Sequence, residues 1–312
     1  MTTNDKLYNI VDISGWEKGF KEYRASGVYE TRPRVVDKHG NEYVSKHCKP
    51  LTRINELIIT KACLKAGFDA VNNDLAYDKE TKKASIISPM LEYGLDPLDR
   101  NINPFFKVHN ALTIRLDAFF KEHPQFNDKF KERFVDEVLL RILIEDQDSQ
   151  FSRNISVKTK KYHNHSESSP LCVIQPLELS TSYDFNYGLR RALGARGHSN
   201  QGAIAKNLEF IAQHYPKKAE QFFANFSFDN ATMDQLFDLS GAPLEWYLMQ
   251  RQQDPHGIPN LTTTLLTEDI NNLSKSTRQQ YEENLAFMKN ISARKATFQL
   301  NNATLQKEGQ IQ

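Results

Sequence analysis

The feature that most constrains the fold is a change of hydrophobic pattern about one third of the way along the chain. Before Pro104 the apolar residues fall mainly in short extended runs, and beyond it they recur at helical spacing. This change predicts an α+β protein with a small β-rich N-lobe followed by a larger helical C-lobe. With 312 residues, the chain is long enough for two such lobes to bury a substantial core.

The β-rich part begins with a pattern typical of a β-hairpin. Residues 28–44 contain two extended runs on either side of the polar turn Lys38-His39-Gly40-Asn41. After Pro50, apolar residues recur at helical spacing, which predicts an amphipathic helix that Thr52 caps and Gly67 ends.

Two further strands are predicted at residues 70–77 and 84–91, separated by a charged turn, so the first hundred residues form the order β-β-α-β-β. We take residues 1–93 as the nucleotide-binding N-lobe.

The helical part, residues 94–298, is predicted to contain helices at 108–121, at 130–145 and from about 202 onwards. It is interrupted between residues 146 and 174 by a loop, a strand, a polar excursion and a returning strand. The Asn- and Gln-rich end, residues 299–312, is expected to be a flexible tail.

Composition excludes several classes of function. The chain has 40 Lys and Arg against 39 Asp and Glu, so it lacks the basic excess expected of a protein that wraps duplex DNA. Its 3 Cys are widely spaced and suggest neither a disulfide framework nor a zinc site. We find no signal peptide or membrane span, and the most apolar predicted helix contains Arg141. We therefore expect a cytoplasmic protein, in its own cell or in another cell's cytosol if it is secreted as an effector.

The order of the polar residues points to phosphoryl transfer. Lys46 lies on a predicted strand, Glu56 on the following helix, Asp148 and Asn154 in the loop after an apolar helix, and Asp184 after the returning strand. A kinase needs a cation for the phosphates of ATP, an anion that orients this cation, oxygen ligands for Mg²⁺, and a carboxylate beside the attacking hydroxyl. Each residue alone is also typical of a solvated charge or a turn.

Two further candidates would contact the nucleotide. Gly27 precedes a strand and is the candidate for a phosphate-covering loop, although protein kinases place several glycines there. The backbone around Met90 and Glu92, at the connection between the lobes, is the candidate for adenine recognition. The alternative for the latter is an ordinary strand exit.

Over about residues 10–250 this arrangement resembles the HipA-like serine/threonine kinases, a family with a divergent protein-kinase fold. The most specific piece is the segment 144–157, in which an apolar helix end precedes Asp-Gln-Asp and then Asn-Ile. Asn55-Glu56 near the start of a helix and Ala66-Gly67 at its end are also similar.

The resemblance implies a bilobal kinase-like fold that uses ATP and Mg²⁺ and phosphorylates a protein substrate. It implies that Asp148 accepts the proton of the acceptor hydroxyl, that Asn154 and Asp184 bind the metal, and that Lys46 binds the nucleotide. Glu56 matches the helix Glu of the family.

The chain also departs from the family. Ser149-Gln150 replaces the Arg-His pair that usually follows the catalytic Asp, and the interval from Asp148 to Asn154 is one residue longer. Three alternatives therefore stay open: a catalytically inactive kinase-like binding module, a kinase of a lipid or small-molecule alcohol, and a helical scaffold without a nucleotide site. The acceptor and the oligomeric state are not predicted from the sequence.

Overall fold

The structure is a computed structural model that describes residues 7–25, 28–46, 50–68, 72–90, 114–122, 124, 128–144, 155–160, 171–176, 198–251 and 263–308. These residues form eight strands and eight helices. Those of the N-terminal part are β1 (Ile10–Asp12), β2 (Glu17–Ala25), β3 (Val28–Val36), β4 (Glu42–Lys46), α1 (Pro50–Lys65), β5 (Asp74–Asp78) and β6 (Lys83–Pro89).

The N-terminal strands form one six-stranded mixed sheet in the order β1-β5-β6-β4-β3-β2. β1 and β5 are parallel, and the other neighbours are antiparallel. The predicted hairpin is confirmed, since Val36 of β3 pairs with Glu42 of β4 across the polar turn. The sequence pattern missed β1 and β2. β1 has three residues, and β2 is an edge strand of mostly charged residues in which Phe20 is 74% exposed.

The helix α1 begins earlier than predicted and ends where predicted. The helix already includes Pro50, because proline is tolerated in the first turn of a helix. Thr52 therefore lies inside that turn and is not the N-cap residue. Gly67 has a φ of 81° and donates its N–H to the carbonyl of Leu64, while Phe68 donates to that of Cys63. This Schellman pattern needs a left-handed residue, which glycine adopts without steric cost.

The C-terminal part is mostly helical, as predicted. It contains α2 (Leu116–Glu122), α3 (Asp128–Ile144), β7 (Ile155–Lys160), β8 (Leu171–Pro176), α4 (His198–His214), α5 (Pro216–Phe226), α6 (Asn230–Phe237), α7 (Ala242–Arg251) and α8 (Thr263–Glu308). β7 and β8 pair in antiparallel fashion and are the predicted outgoing and returning strands. The α+β class is confirmed, since a six-stranded sheet in the N-terminal part is followed by a mostly helical C-terminal part.

Two boundaries in this part differ from the prediction. The helix expected at 108–121 is described only from Leu116, since Ile114 and Arg115 are not helical. The helix α8 continues through residues 300–308, within the segment 299–312 that the sequence predicts to be a tail. No Gly or Pro occurs between Thr263 and Glu308, so the helix meets no residue that would break it.

The main hydrophobic core is continuous between the two parts. α1 buries Ile54, Leu57 and Ile58 against strands β5 and β6 and against aromatic residues of the C-terminal helices. Two large aromatic residues of these helices, Phe222 and Trp246, are fully buried. A second, smaller cluster covers the other face of the sheet and contains Ile13, Val35, Ala76 and Ile87. The sheet is therefore covered by apolar side chains on both faces.

Buried hydrogen bonds connect the long helix α8 to three other helices. Thr277 Oγ1 donates to Asn55 Oδ1 of α1 at 2.9 Å, and the Tyr281 hydroxyl donates to the carbonyl of Phe226 in α5 at 3.0 Å. Asn284 Nδ2 donates at 2.9 Å to the carbonyl of Leu143, in the last turn of α3. Carbonyls in a last helical turn have no partner within their helix, so this amide satisfies one of them.

Within the described ranges, no helix combines the length and the apolar composition needed to cross a bilayer. This agrees with the expectation from the sequence.

We predict that Asn284→Ala lowers the free energy of unfolding by about 1–3 kcal/mol, because it leaves the buried carbonyl of Leu143 without its donor. Urea denaturation measures this loss. Asn290→Ala, the same substitution at an exposed position of the same helix, is the control and is expected to change stability by less than about 0.5 kcal/mol. Equal losses in the two variants would contradict the assignment.

Candidate active site

Lys46 is the last residue of β4, and its position in the sheet decides where its side chain goes. In the β4–β6 register it pairs with Ile86, a residue of the main hydrophobic core. Paired residues point to the same face of a sheet, so Lys46 faces the side that α1 covers. The strand thus places a cation beneath the helix that follows it in the chain.

Glu56 lies in the second turn of α1 and meets Lys46 there. Its side chain has no exposed surface, and that of Lys46 is 10% exposed. Lys46 Nζ donates to Glu56 Oε1 at 3.2 Å. The structure therefore brings together the two residues that the sequence placed on separate elements, in a position largely shielded from solvent.

Two more donors surround the same carboxylate. Arg53, one turn earlier on α1, donates to Glu56 Oε2. Asn73, the residue before β5, donates from Nδ2 to Glu56 Oε1 at 3.2 Å. Glu56 therefore has a partner from β4, from α1 itself and from the start of β5. Such a set of donors is what a buried carboxylate requires, because an unpaired buried charge is strongly destabilising.

Asn73 is itself fixed by two hydroxyl groups. The Ser88 hydroxyl of β6 donates to Asn73 Oδ1 at 2.6 Å, and Asn73 Nδ2 lies 3.4 Å from Thr60 Oγ1 of α1. All three residues are buried. The polar cluster of Lys46, Arg53, Glu56, Thr60, Asn73 and Ser88, which we call the Glu56 cluster, thus joins α1 to three strands.

Burial changes the acid–base properties of Lys46. It holds the pKa of the ammonium group below its ordinary value, because the charged form is poorly solvated there. The Glu56 carboxylate opposes this change in pKa, and the nearby cation of Arg53 adds to it. Burial therefore favours the neutral amine of Lys46, and a bound anion would favour its charged form.

This arrangement suits the binding of a phosphate group. An ammonium group can donate three hydrogen bonds, so contact with Glu56 and with a phosphate oxygen are chemically compatible. In kinases, a Lys on a strand that is paired with a Glu on the next helix holds the phosphates of the nucleotide. The Lys46–Glu56 pair has both the residue types and the placement on elements that this role needs.

Met90 is the other described residue that the sequence assigned to the nucleotide. It directly follows β6, and its N–H donates to the carbonyl of Glu42 at 2.8 Å. That N–H is therefore engaged in the sheet. Of its two backbone groups, the carbonyl is the one suited to accept a hydrogen bond from an adenine amino group.

The remaining predicted site residues, Gly27, Glu92, Asp148, Asn154 and Asp184, lie outside the described residues. The elements around the predicted catalytic loop are described: α3 ends at Ile144, and β7 begins at Ile155, directly after Asn154. No group of three or more His, Cys, Asp and Glu that could hold a metal ion occurs in the part of the chain that the structure covers. The roles of these five residues stay predictions.

The sequence missed four members of the Glu56 cluster. Arg53 had a signal, because residues three apart on a helix are neighbours, and an acid and a base at that spacing favour an ion pair. Asn73, Ser88 and Thr60 had none, because their contacts depend on how β5, β6 and α1 pack in three dimensions.

Comparisons with known proteins add the following. No family model matches the sequence, and no curated protein matches it either. Among solved structures, the fold is similar to the crystal structure of the Helicobacter pylori proinflammatory kinase CtkA. The two share 12% sequence identity, the match covers 91% of this chain and 99% of that chain, and the TM-score is 0.49.

We predict that the two halves of the ion pair differ in their importance for stability. Glu56→Leu is expected to lower the free energy of unfolding by about 3–5 kcal/mol, because Lys46, Arg53 and Asn73 all lose their acceptor. Lys46→Met is expected to cost less than about 1.5 kcal/mol, because it removes a poorly solvated charge while Arg53 and Asn73 still satisfy Glu56.

Urea denaturation of both variants at neutral pH measures the difference. A loss for Lys46→Met as large as that for Glu56→Leu would mean that Arg53 and Asn73 do not satisfy the carboxylate alone.

Proposed function

We propose that this protein is a kinase that binds ATP with Mg²⁺ and transfers the γ-phosphoryl group to a Ser or Thr hydroxyl of a protein. The observation that carries the proposal is the buried contact between Lys46 Nζ and Glu56 Oε1, which joins the end of β4 to α1. The order of strand, Lys, helix and Glu is the order in which kinases build their phosphate-binding cation.

The free-energy cost of burying the Lys46–Glu56 ion pair supports a functional role for it. Removing two charges from water is expensive, and replacing a buried ion pair by apolar residues of similar size is often neutral or stabilising. Lys46 pairs with the core residue Ile86 across β4 and β6, and Glu56 lies on α1 beside the core residue Leu57, so both positions border the hydrophobic core. A charged pair here is better explained by an anionic ligand than by the needs of folding.

The proposed roles follow from this placement and from the resemblance. Lys46 donates to the non-bridging oxygens of the nucleotide phosphates, and Glu56 holds the ammonium group in place. The oxygen of the acceptor hydroxyl forms a bond to the γ-phosphorus while Asp148 accepts the hydroxyl proton. The bond between the γ-phosphorus and the bridging β-phosphate oxygen breaks, and ADP is the leaving group. The amide oxygen of Asn154 and the carboxylate of Asp184 are suitable ligands for Mg²⁺, which neutralises phosphate charge when it is bound.

A second function, favoured by the loop sequence, is a kinase-like module that binds a partner without transferring phosphate. Ser149-Gln150 and the longer interval from Asp148 to Asn154 support it, because an extra residue moves an extended chain by about 3.3 Å, enough to displace a metal ligand. The two functions share the fold and differ in phosphoryl transfer.

We predict that Asp148→Ala and Asp184→Ala each abolish the transfer of labelled phosphate from ATP to the protein itself or to a protein substrate. The expected loss is at least about a hundredfold, because each variant removes a proton acceptor or a metal ligand. Asp269→Ala, at an exposed position of α8, is the control and should keep full activity. Circular dichroism checks that all three variants fold.

Full activity in both site variants would remove the proposed mechanism. Activity absent from the wild type, together with binding of Mg·ATP, would favour the non-catalytic module.

We predict that Mg·ATP stabilises the wild type against thermal unfolding, by about 2.7 kcal/mol at a concentration one hundred times its Kd. Lys46→Met should lose most of this stabilisation, because the phosphates lose their cation. Lys61→Met is a matched control: Lys61 is also 10% exposed and is paired with Asp74, outside the Glu56 cluster. It should keep the effect of the nucleotide. The absence of any shift with the wild type at millimolar Mg·ATP would contradict nucleotide binding.

A further inference from the structure

We propose that Asn73 is a positioning residue, which holds the Glu56 carboxylate on the side of Lys46 and thereby keeps the Lys46 ammonium group in place for phosphate. The inference rests on the proposed function, and it assigns a role to a residue outside the set that the sequence indicated. Asn73 acts through Glu56, by a hydrogen bond to its Oε1.

The first step of the argument is that Asn73 and Lys46 share one acceptor atom. Both donate to Glu56 Oε1, at 3.2 Å each. Asn73 is 3% exposed and Glu56 is fully buried, so a rotation of the carboxylate would separate both donors from their acceptor at once. The amide therefore stabilises the same orientation of Glu56 that the contact with Lys46 needs.

The second step is that Glu56 has a competing partner. Arg53 binds the other carboxylate oxygen from the same helix, one turn away. A cation on the same helix would keep Glu56 paired even if the carboxylate moved away from β4. The contact with Asn73 comes from the sheet side and therefore opposes that movement. Because the amide is uncharged, it attracts the carboxylate without adding another cation that would compete with Lys46.

The third step is that a contact on the other side of the Asn73 amide favours the same orientation as Glu56 does. An ionised carboxylate only accepts hydrogen bonds, so the NH₂ end of the amide must face it. The Ser88 hydroxyl donates to the amide oxygen at 2.6 Å from β6. Ser88 pairs with Val44, which lies two residues before Lys46 on β4. The sheet that places Lys46 therefore also places the donor that orients Asn73.

Competitive acetylation of the lysines with acetic anhydride, followed by peptide mass spectrometry, tests the inference without nucleotide. The pH midpoint of Lys46 labelling reports the proton affinity of its amine. In Asn73→Leu this midpoint should fall by about one pH unit, because burial, Arg53 and Arg32 of β3 all lower the pKa of Lys46 and the opposing effect of Glu56 is weakened. The Kd for Mg·ATP should rise about tenfold.

Two further variants separate positioning from a general structural effect. Ser85→Ala is the control: it makes a serine-to-alanine change at another buried position of β6, where the hydroxyl has no hydrogen-bond partner among the described residues, and it should leave the Lys46 midpoint unchanged. Ser88→Ala frees the amide oxygen of Asn73 and should lower the midpoint in the same direction by a smaller amount. It keeps the inference testable if Asn73→Leu fails to fold.

A wild-type midpoint in Asn73→Leu overturns the inference, as does an equal fall in Ser85→Ala. If Asn73→Leu does not fold, a wild-type midpoint in Ser88→Ala overturns it. A wild type that neither binds Mg·ATP nor transfers phosphate would instead contradict the proposed function, and the midpoints would still decide whether Asn73 positions Glu56.

Discussion

The candidate site depends on the contacts that one fully buried carboxylate, that of Glu56, makes with its donors. A buried charge must be matched by donors, and here the donors come from β4, from α1 and from the residue that opens β5. Meeting this requirement helps to fix the position of α1 over the sheet and the direction of the Lys46 side chain. The same contacts that satisfy Glu56 therefore build a cation that is held rigidly and solvated poorly, which is the state that favours binding an anion.

The helix α8 extends this constraint toward the second half of the predicted site. Thr277 binds Asn55, the residue next to Glu56, and Asn284 binds the carbonyl of Leu143 near the end of α3. The segment after α3 is the predicted catalytic loop. One helix thus contacts both the element that carries Glu56 and the element that leads to Asp148. Its two hydrogen bonds are buried, so they restrain α1 and α3 relative to each other more firmly than exposed contacts would.

Local patterns predicted the elements that have a strong local signal, and they failed where the information is not local. The hairpin of β3 and β4 and the end of α1 at Gly67 follow from turn chemistry and periodicity, and both are confirmed. β2 was missed because its residues are mostly charged, and its strand conformation comes from pairing with β3. Lys46 and Glu56 could be proposed from their order alone, whereas Asn73 could not, because its contact depends on how β5 and α1 pack.

The Glu56 cluster argues against one of the open alternatives and does not distinguish between two others. A helical scaffold without a nucleotide site has no use for a buried Lys, since apolar side chains would fill the same space without the cost of desolvation. A module that binds nucleotide but does not transfer phosphate would need the cluster as much as an active kinase does. The cluster therefore bears on ATP binding, and Asp148, Asn154 and Asp184 bear on transfer. Because the first group lies on and around β4 and α1 and the second lies in the segments after α3 and β8 in the sequence, the proposed binding and the proposed transfer depend on different parts of the chain.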